Sequence, residues 1–393
     1  MRNIQTQTGF LGDNQTKFIS TMISSYSMYD AVIIGAGPAG YVCATTLGKG
    51  GAKVCVVEKG GLGGTCTQTG CIPTKFLHSV GDTIRKAKAG KKFGIKSSIE
   101  IDYTVLKSKM KSTVSKLASG IELLFKENGV ELIQGEASLK SANEVEINGK
   151  ILETKNIVLA TGSQPKSFQN HSFDDRILST DSIFDLENLP ESILIVGGGY
   201  SGCEFASILN VLGCKVWLVE MEETLLPGQP KEVGSSVEKF MKLDGIEVMT
   251  KSGVEKIDGE VIVNGKKINP EKILITVGRN PNIETKIFED LGIVFDENGL
   301  KVNEKMQTSL QNVYAIGDIT GHFELAHVAS RQGEVAAQNI LGKNSTMDYS
   351  VVPYCVFTYP EVAVVGKCEG HSGEFQLSVN AKANCLGDTR GFV

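Results

Sequence analysis

Cys66 and Cys71 stand in the run Gly63-Gly64-Thr65-Cys66-Thr67-Gln68-Thr69-Gly70-Cys71-Ile72-Pro73-Thr74-Lys75. Two thiols at this spacing can close and reopen a small disulfide ring, a two-electron couple. They follow directly on a strand ending at Glu58, where a unit fit to hold a dinucleotide finishes. Sulfur beside a redox nucleotide points to an oxidoreductase of thiols or disulfides. The helix-start signals at Pro73 and Lys75 predict that both sulfurs sit in a positive potential that favours thiolate. The same pair could be two inert structural thiols or metal ligands. A metal site is the weaker alternative, because CxxxxC has no second ligand pair near it.

The elements that must position these sulfurs are legible in a repeat. The apolar strand Tyr29-Asp30-Ala31-Val32-Ile33-Ile34 leads into Gly35-x-Gly37-x-x-Gly40, a helix, and Lys53-Val54-Cys55-Val56-Val57-Glu58. The pattern returns as Ser192-Ile193-Leu194-Ile195-Val196, then Gly197-x-Gly199-x-x-Gly202, a helix, and Lys215-Val216-Trp217-Leu218-Val219-Glu220. In each unit the glycines permit a tight turn and let backbone approach a pyrophosphate at a helix N-terminus, and the acid can accept from a ribose 2′-hydroxyl. One such glycine run is weak evidence. A strand, glycine run, helix and acid in order, twice, imply two dinucleotides.

Composition sets limits. The 393 residues suffice for two or three domains, and a net charge of −5 argues against a broad nucleic-acid surface and against binding anionic membranes. No apolar run approaches the roughly 18 residues that span a bilayer. Nine cysteines, odd in number and scattered, fit a reducing, cytoplasmic setting. Cys43, Cys55, Cys203 and Cys214 lie in apolar contexts and are expected to be buried small hydrophobes. Residues 1–27 are polar and carry too little positive charge for a transit peptide. They read as a disordered extension, or as an over-long start before Met22 or Met28.

Between the repeats, a helix is expected over Ile101 to Asn128, with Val105, Val114, Leu117, Ile121 and Leu124 as its apolar residues. A hairpin-like region follows over Val130 to Thr154, turning at Asn148-Gly149, and then the strand from Asn156 to Ala160. A second hairpin signal stands at Asn264-Gly265. Strands at Lys272–Val277 and Val313–Ile316 end at Gly278 and Gly317. From Asp348 an apolar pattern through Val351, Val352, Val356, Phe357, Val362 and Val364 marks the start of an antiparallel sheet.

These motifs, in this order, resemble the pyridine nucleotide–disulfide oxidoreductase family, and within it the branch that oxidises dihydrolipoamide. The resemblance runs from Tyr29 to Val393. It rests on the first fingerprint with Glu58, GGTCTQTGCIPTK, LATGSQP (Leu159 to Pro165), the second fingerprint with Glu220, and TVGRNP (Thr276 to Pro281). YAIGDIT (Tyr314 to Thr320), LAH (Leu325 to His327) and VFTYPEVAVVG (Val356 to Gly366) complete it.

The fold it implies is α/β, with two Rossmann-like domains and the beginning of an α+β interface domain. FAD is expected on residues 28–164 and 280–347, NAD on 165–279, and a partial interface domain on 348–393. Gly162, Gly278 and His327 join the fingerprint glycines as cofactor-binding positions, and Asp318 is expected at the FAD ribitol. His327 has packing as its competing role. Cys71 becomes the thiol nearest the flavin and Cys66 the one that exchanges with substrate. Lys75 and Glu204 resemble the family's pair between flavin and nicotinamide, a buried ammonium balanced by a carboxylate; the competing reading is a surface lysine and a helix-face acid. Glu220, followed by Met-Glu-Glu-Thr, favours NAD over NADP, because a carboxylate repels a 2′-phosphate.

The implied reaction is oxidation of dihydrolipoamide, carried on a lipoyl domain of a 2-oxoacid dehydrogenase complex, by a homodimer. Competing readings are another disulfide or mercuric reductase, or a catalytically silent flavoprotein. The mercuric type would need a further cysteine pair near the C-terminus. The sequence departs from the family in Gln68, where asparagine is usual. No His-x-x-x-x-Glu follows Val351, so the family's general base is not found. The run from Ser378 to Val393 resembles only the first part of the interface domain, and the chain is expected to be a fragment or a natural truncation. His78, His171, His322 and His371 carry no motif and are expected at the surface or in loops.

Overall fold

The computed structural model describes residues 28–365. The expectations for residues 1–27, for His371 and for the run from Ser378 to Val393 fall outside the described residues.

Two parallel sheets carry the two fingerprints. In the first, Glu131–Gln134, Val54–Glu58, Tyr29–Ile34, Lys150–Leu159 and Val313–Ala315 lie side by side and all parallel. The central strand is Tyr29–Ile34, with Ile33 facing Val56 on one side and Val158 on the other. Buried on both faces, it reads as a continuous apolar run rather than an alternating one. Strands Ala137–Ser141 and Glu144–Ile147 extend the sheet as an antiparallel meander on the first half of Lys150–Leu159. Its turn is Asn148-Gly149, with φ of 50° and 79°, the left-handed pair a tight hairpin requires.

The second sheet orders Glu247–Met249, Lys215–Val219, Ser192–Val196, Lys272–Ile275 and Ile177–Ser179, again all parallel. Beside it stands a three-stranded antiparallel sheet that turns at Asn264-Gly265. The chain passes from the first sheet to the second through Ser163–Pro165 and returns through Arg279–Pro281. These two segments pair antiparallel, so both crossings run through one ribbon.

A core forms where the two halves meet. Leu77 and Ile84 from the helix Cys71–Ala89, and Leu106 and Met110 from the helix Tyr103–Glu127, pack with Ile193, Phe205 and Ile208 of the second unit. Val356, Tyr359 and Val362 close the same cluster. Val356 and Val362 belong to the antiparallel pair Pro353–Val356 and Val362–Val365, the start of the expected antiparallel sheet, and Tyr359 lies in the turn between them. Cys43, Cys55, Cys203 and Cys214 are buried, and desolvation raises all four thiols, Cys55 and Cys214 to about 12.

The helix Tyr103–Glu127 forms where expected, but its inward face differs. Leu106, Met110, Ile121 and Phe125 are buried, whereas Val105, Leu117 and Leu124 are exposed. Apolar residues lie all round this helix, so periodicity alone left the face open. Packing selected the positions that reach the neighbouring helices. Among the described residues, no helix is long and apolar enough to cross a membrane. Ile121→Ala should therefore cost about 2–4 kcal/mol of folding stability, the loss of a buried aliphatic side chain. Leu117→Ala should stay within about 0.5 kcal/mol. Denaturant midpoints of the two variants check both.

Candidate active site

The two glycine turns have matching geometry. Gly35 and Gly197 hold φ of 105° and 108°, conformations that favour glycine. A Cβ on Gly40 would lie 1.9 Å from the Gly35 carbonyl oxygen, and one on Gly202 would lie 1.9 Å from that of Gly197. The middle glycines differ. A Cβ on Gly37 would meet only the Gly64 Cα, at 4.0 Å, and one on Gly199 would meet no atom within 4 Å. Nothing in the protein requires glycine there, and the open space lies at the N-termini of the helices Pro38–Lys49 and Tyr200–Val211. Such space at a helix N-terminus is a cradle suited to an anionic group, toward which helix N–H groups and dipole are directed.

The strand-end acids do more than wait for a ribose. Glu58 accepts from the backbone N–H of Ala36 and of Gly60, each at 2.7 Å. Glu220 repeats this, accepting from Gly198 N at 2.5 Å and Glu222 N at 2.8 Å. Each carboxylate thus fixes its own glycine turn while lining the same cleft as the cradle. The two folds open into one continuous cleft of about 1970 Å³, shared by Gly37, Cys66, Cys71, Lys75, Gly199 and Glu204.

The thiols sit on two successive helices. Cys66 lies within the short helix Gly64–Gln68, and Cys71 is the first residue of Cys71–Ala89. The Lys75 charge acts to lower both thiols, as expected from their position. Both are present as thiols. Cys71 accepts a hydrogen bond from Cys66, and this, with the Lys75 charge, lowers its pKa against the opposing effect of burial. Donating that hydrogen bond, together with burial, raises the Cys66 thiol. Cys71 is therefore the natural thiolate. Gln68 supports the loop by donating from Nε2 to the Leu62 carbonyl at 2.7 Å.

Lys75, one helical turn beyond Cys71, places Nζ 2.7 Å from Glu204 Oε2. Glu204 comes from the second fingerprint helix and is buried, and its Oε1 accepts from Phe357 N–H at 3.0 Å. Lys75 Nζ also stands 4.3 Å from the centre of the Phe357 ring. The competing reading of a surface lysine and a helix-face acid does not hold. Three segments distant in sequence converge on this ion pair.

The remaining expected positions divide. Asp318, Gly162, Gly278 and His327 line the cleft. Asp318 accepts from Ser163 Oγ at 2.7 Å, while burial raises its carboxyl pKa. His327 is exposed on the cleft wall. His322 lines the cleft and stacks on Tyr349, and His171 pairs with Asp258 at 3.2 Å. His78, expected at the surface, is buried against Tyr359 and Phe357, because its helix face turns toward the hairpin that follows residue 352.

Sequence reading missed the Arg279 hub. Its guanidinium donates to Ser163 Oγ at 2.8 Å, Ser163 O at 2.9 Å and Asp181 at 3.0 Å. The signal was present, since Ser163 and Arg279 lie inside two quoted motifs, but their contact requires the fold.

Two nucleotide folds facing one thiol pair across a shared cleft define a dithiol–disulfide oxidoreductase. The sequence pattern of the family described as "Pyridine nucleotide-disulphide oxidoreductase" matches residues 29–333, and the chain belongs to that family. It is similar to the dihydrolipoyl dehydrogenase of Chlamydia pneumoniae, 36% identical over 384 residues. It is also similar to that of Geobacillus stearothermophilus, 38% identical over 388 residues. In both cases 93% of this chain and 83% of the relative are covered. Among solved structures it resembles the HOCl-induced flavoprotein disulfide reductase RclA of Escherichia coli, determined as a Cu(II) complex. The TM-score is 0.76 and the identity 26%, over 86% of this chain and 78% of that one. The protein is an oxidoreductase whose cofactors are FAD and NAD.

Gly40→Ala should lower folding stability by about 1–3 kcal/mol through the forced overlap. Gly37→Ala should stay within about 1 kcal/mol of the parent when no ligand is present, yet hold its dinucleotide far less well. Denaturant midpoints of stripped protein and flavin retention on gel filtration separate the two.

Proposed function

We propose that this chain oxidises dihydrolipoamide, carried on a lipoyl domain of a 2-oxoacid dehydrogenase complex, with NAD⁺ as acceptor. The observation that carries this is the Cys66–Cys71 pair beside Lys75–Glu204, at the meeting of two glycine cradles. Gly35, Gly37, Gly40, Glu58, Gly162 and Asp318 would hold FAD; Gly197, Gly199, Gly202, Glu220 and Gly278 would hold NAD. When bound, FAD supplies a two-electron relay between the thiol pair and the nicotinamide.

The chain's own part is thiol exchange. With Cys66 and Cys71 joined, a substrate thiolate attacks Cys66, the bond between the cysteines breaks, and Cys71 leaves as thiolate. The Lys75 charge, which favours thiolate at Cys71, assists its departure. The second substrate thiol then displaces Cys66, closing the substrate disulfide and leaving the pair reduced by two electrons. Lys75 stabilises the Cys71 thiolate, and Glu204 holds the ammonium in place. Glu220, with a turn already fixed by its carboxylate, favours a free 2′-hydroxyl. The likeness to a flavoprotein disulfide reductase supports a second reading, the same exchange run toward reduction of another disulfide.

Anaerobic reductive titration should take up about four electrons per flavin, two each for the thiol couple and FAD. Cys71→Ser or Cys66→Ser should each reduce this to about two. Turnover with lipoamide far above that with other disulfides selects between the two readings, and absence of lipoamide turnover in an otherwise active protein rejects the first. Glu220→Ala should weaken NAD binding by about 1–2 kcal/mol, the loss of a charged hydrogen-bond acceptor. NADP should lose less, or gain. Equal losses measured by calorimetry would mean that Glu220 acts only through the glycine turn.

A further inference from the structure

Glu223, shortly after Glu220 in the chain, does not stand as a free charge. It holds two lysines at once: its Oε2 pairs with Lys231 Nζ, and its Oε1 lies 3.0 Å from Lys251 Nζ. Hydrogen bonds from the two ammoniums hold the Glu223 carboxyl well below the usual carboxylate range. All three side chains are half exposed or more, and exposed ion pairs add little to folding. Each lysine also stands where its backbone disfavours it. Lys231 opens the helix Lys231–Leu243, at the end whose dipole repels a cation. Lys251 holds a left-handed φ of 52°, a conformation that lysine seldom adopts. Two cations in unfavourable places, gathered by one acid, call for a reason other than stability.

Their position supplies one. Lys251 N–H donates to the Glu222 carbonyl and Ser252 N–H to the Glu220 carbonyl, each at 2.9 Å, so this pair of residues runs directly beside Glu220. Just before Lys231, Gln229 donates to Tyr200 OH at 2.6 Å, in the first turn of the second cradle's helix. Glu220, Met221, Pro227 and Ser252 line the cleft, and the three charged residues adjoin them in the chain. An ammonium free at this end would meet a phosphate on the ribose 2′-oxygen, a group of charge near about −2. The first fold has a similar arrangement at its own ribose end. Lys59, next to Glu58, pairs with Glu136 at 3.2 Å, and both line the cleft.

We propose that Glu223 is a second coenzyme-selecting residue, which holds Lys231 and Lys251 in an ion-pair clamp and so withholds both ammoniums from a 2′-phosphate. The inference rests on reading the second fold as the NAD site. The two acids divide the task. Glu220 accepts from a free 2′-hydroxyl, whereas Glu223 acts through the lysines and touches no part of the coenzyme. Glu220, Glu222 and Glu223 with Lys231 and Lys251 carry one net negative charge, and without Glu223 they carry none. Rejection of the phosphorylated coenzyme therefore depends on keeping the clamp closed.

The test is calorimetric titration of the oxidised, flavin-bound protein with NAD⁺ and with NADP⁺. Glu223→Gln should raise NADP⁺ affinity about tenfold at low salt, the scale of one unit charge acting on a doubly charged phosphate across roughly 6 Å of water. NAD⁺ affinity should move by less than about twofold, because a free hydroxyl carries no charge for the released lysines to meet. In about 1 M salt the gain should vanish, since exposed charges are then screened beyond about 3 Å. Replacing Lys231 and Lys251 by Gln together with Glu223→Gln should also remove the gain.

An equal change for NAD⁺ and NADP⁺, or no change for either, overturns the proposal. So does a gain that survives in the triple variant, because Glu223 would then act by its own repulsion and not through the lysines. A parent protein that retains flavin but binds neither coenzyme overturns instead the reading of the second fold.

Discussion

The ion pair between Lys75 and Glu204 is the constraint on which the rest of the site depends. Lys75 is on the thiol helix, Glu204 on the second fingerprint helix, and Phe357 from the C-terminal hairpin holds the free carboxylate oxygen. Each element belongs to a different part of the chain, and each is fixed by a charged or charge-assisted contact. Removing the lysine would leave a buried carboxylate without its partner, at a cost on the order of 3 kcal/mol, less what water reaching the half-buried ammonium recovers. The pair is therefore more than a surface salt bridge. It ties the two nucleotide folds together beside the sulfurs, and its ammonium acts to lower both thiols.

The nucleotide turns are fixed before any ligand arrives. Glu58 and Glu220 each close a small ring with two backbone N–H groups, one of them in the glycine turn. A carboxylate that already accepts two hydrogen bonds has a defined orientation. Preorganisation of this kind lowers the entropy lost on binding. The same residue type makes the same pair of contacts at the same place in both repeats.

Arg279 serves the ribbon between the folds in a similar way. Its guanidinium reaches Ser163 on the outgoing strand and Asp181 in the second unit, and Ser163 in turn reaches Asp318 in the returning segment. Both crossings of the chain are joined at one cation. The geometry between the folds is thus held at two places, the ribbon and the Lys75–Glu204 pair, with the cleft between them.

The sequence by itself determined the local chemistry: two glycine turns with their acids, two thiols close together in one short run, and apolar strands buried on both faces. These follow from short-range rules, since a left-handed φ, a helix N-terminus and a strand period are each set within a few residues. Tertiary structure decided what depends on facing. It chose Leu106, Met110, Ile121 and Phe125 as the inner face of a helix whose apolar residues lie all round. It put His78 in the core rather than at the surface, brought Arg279 to Ser163, and placed Cys66 and Cys71 on two successive helices. Those outcomes turn on which side of a helix another segment covers, and that segment lies hundreds of residues away or in the other repeat. Spacing within one element carries no information about it.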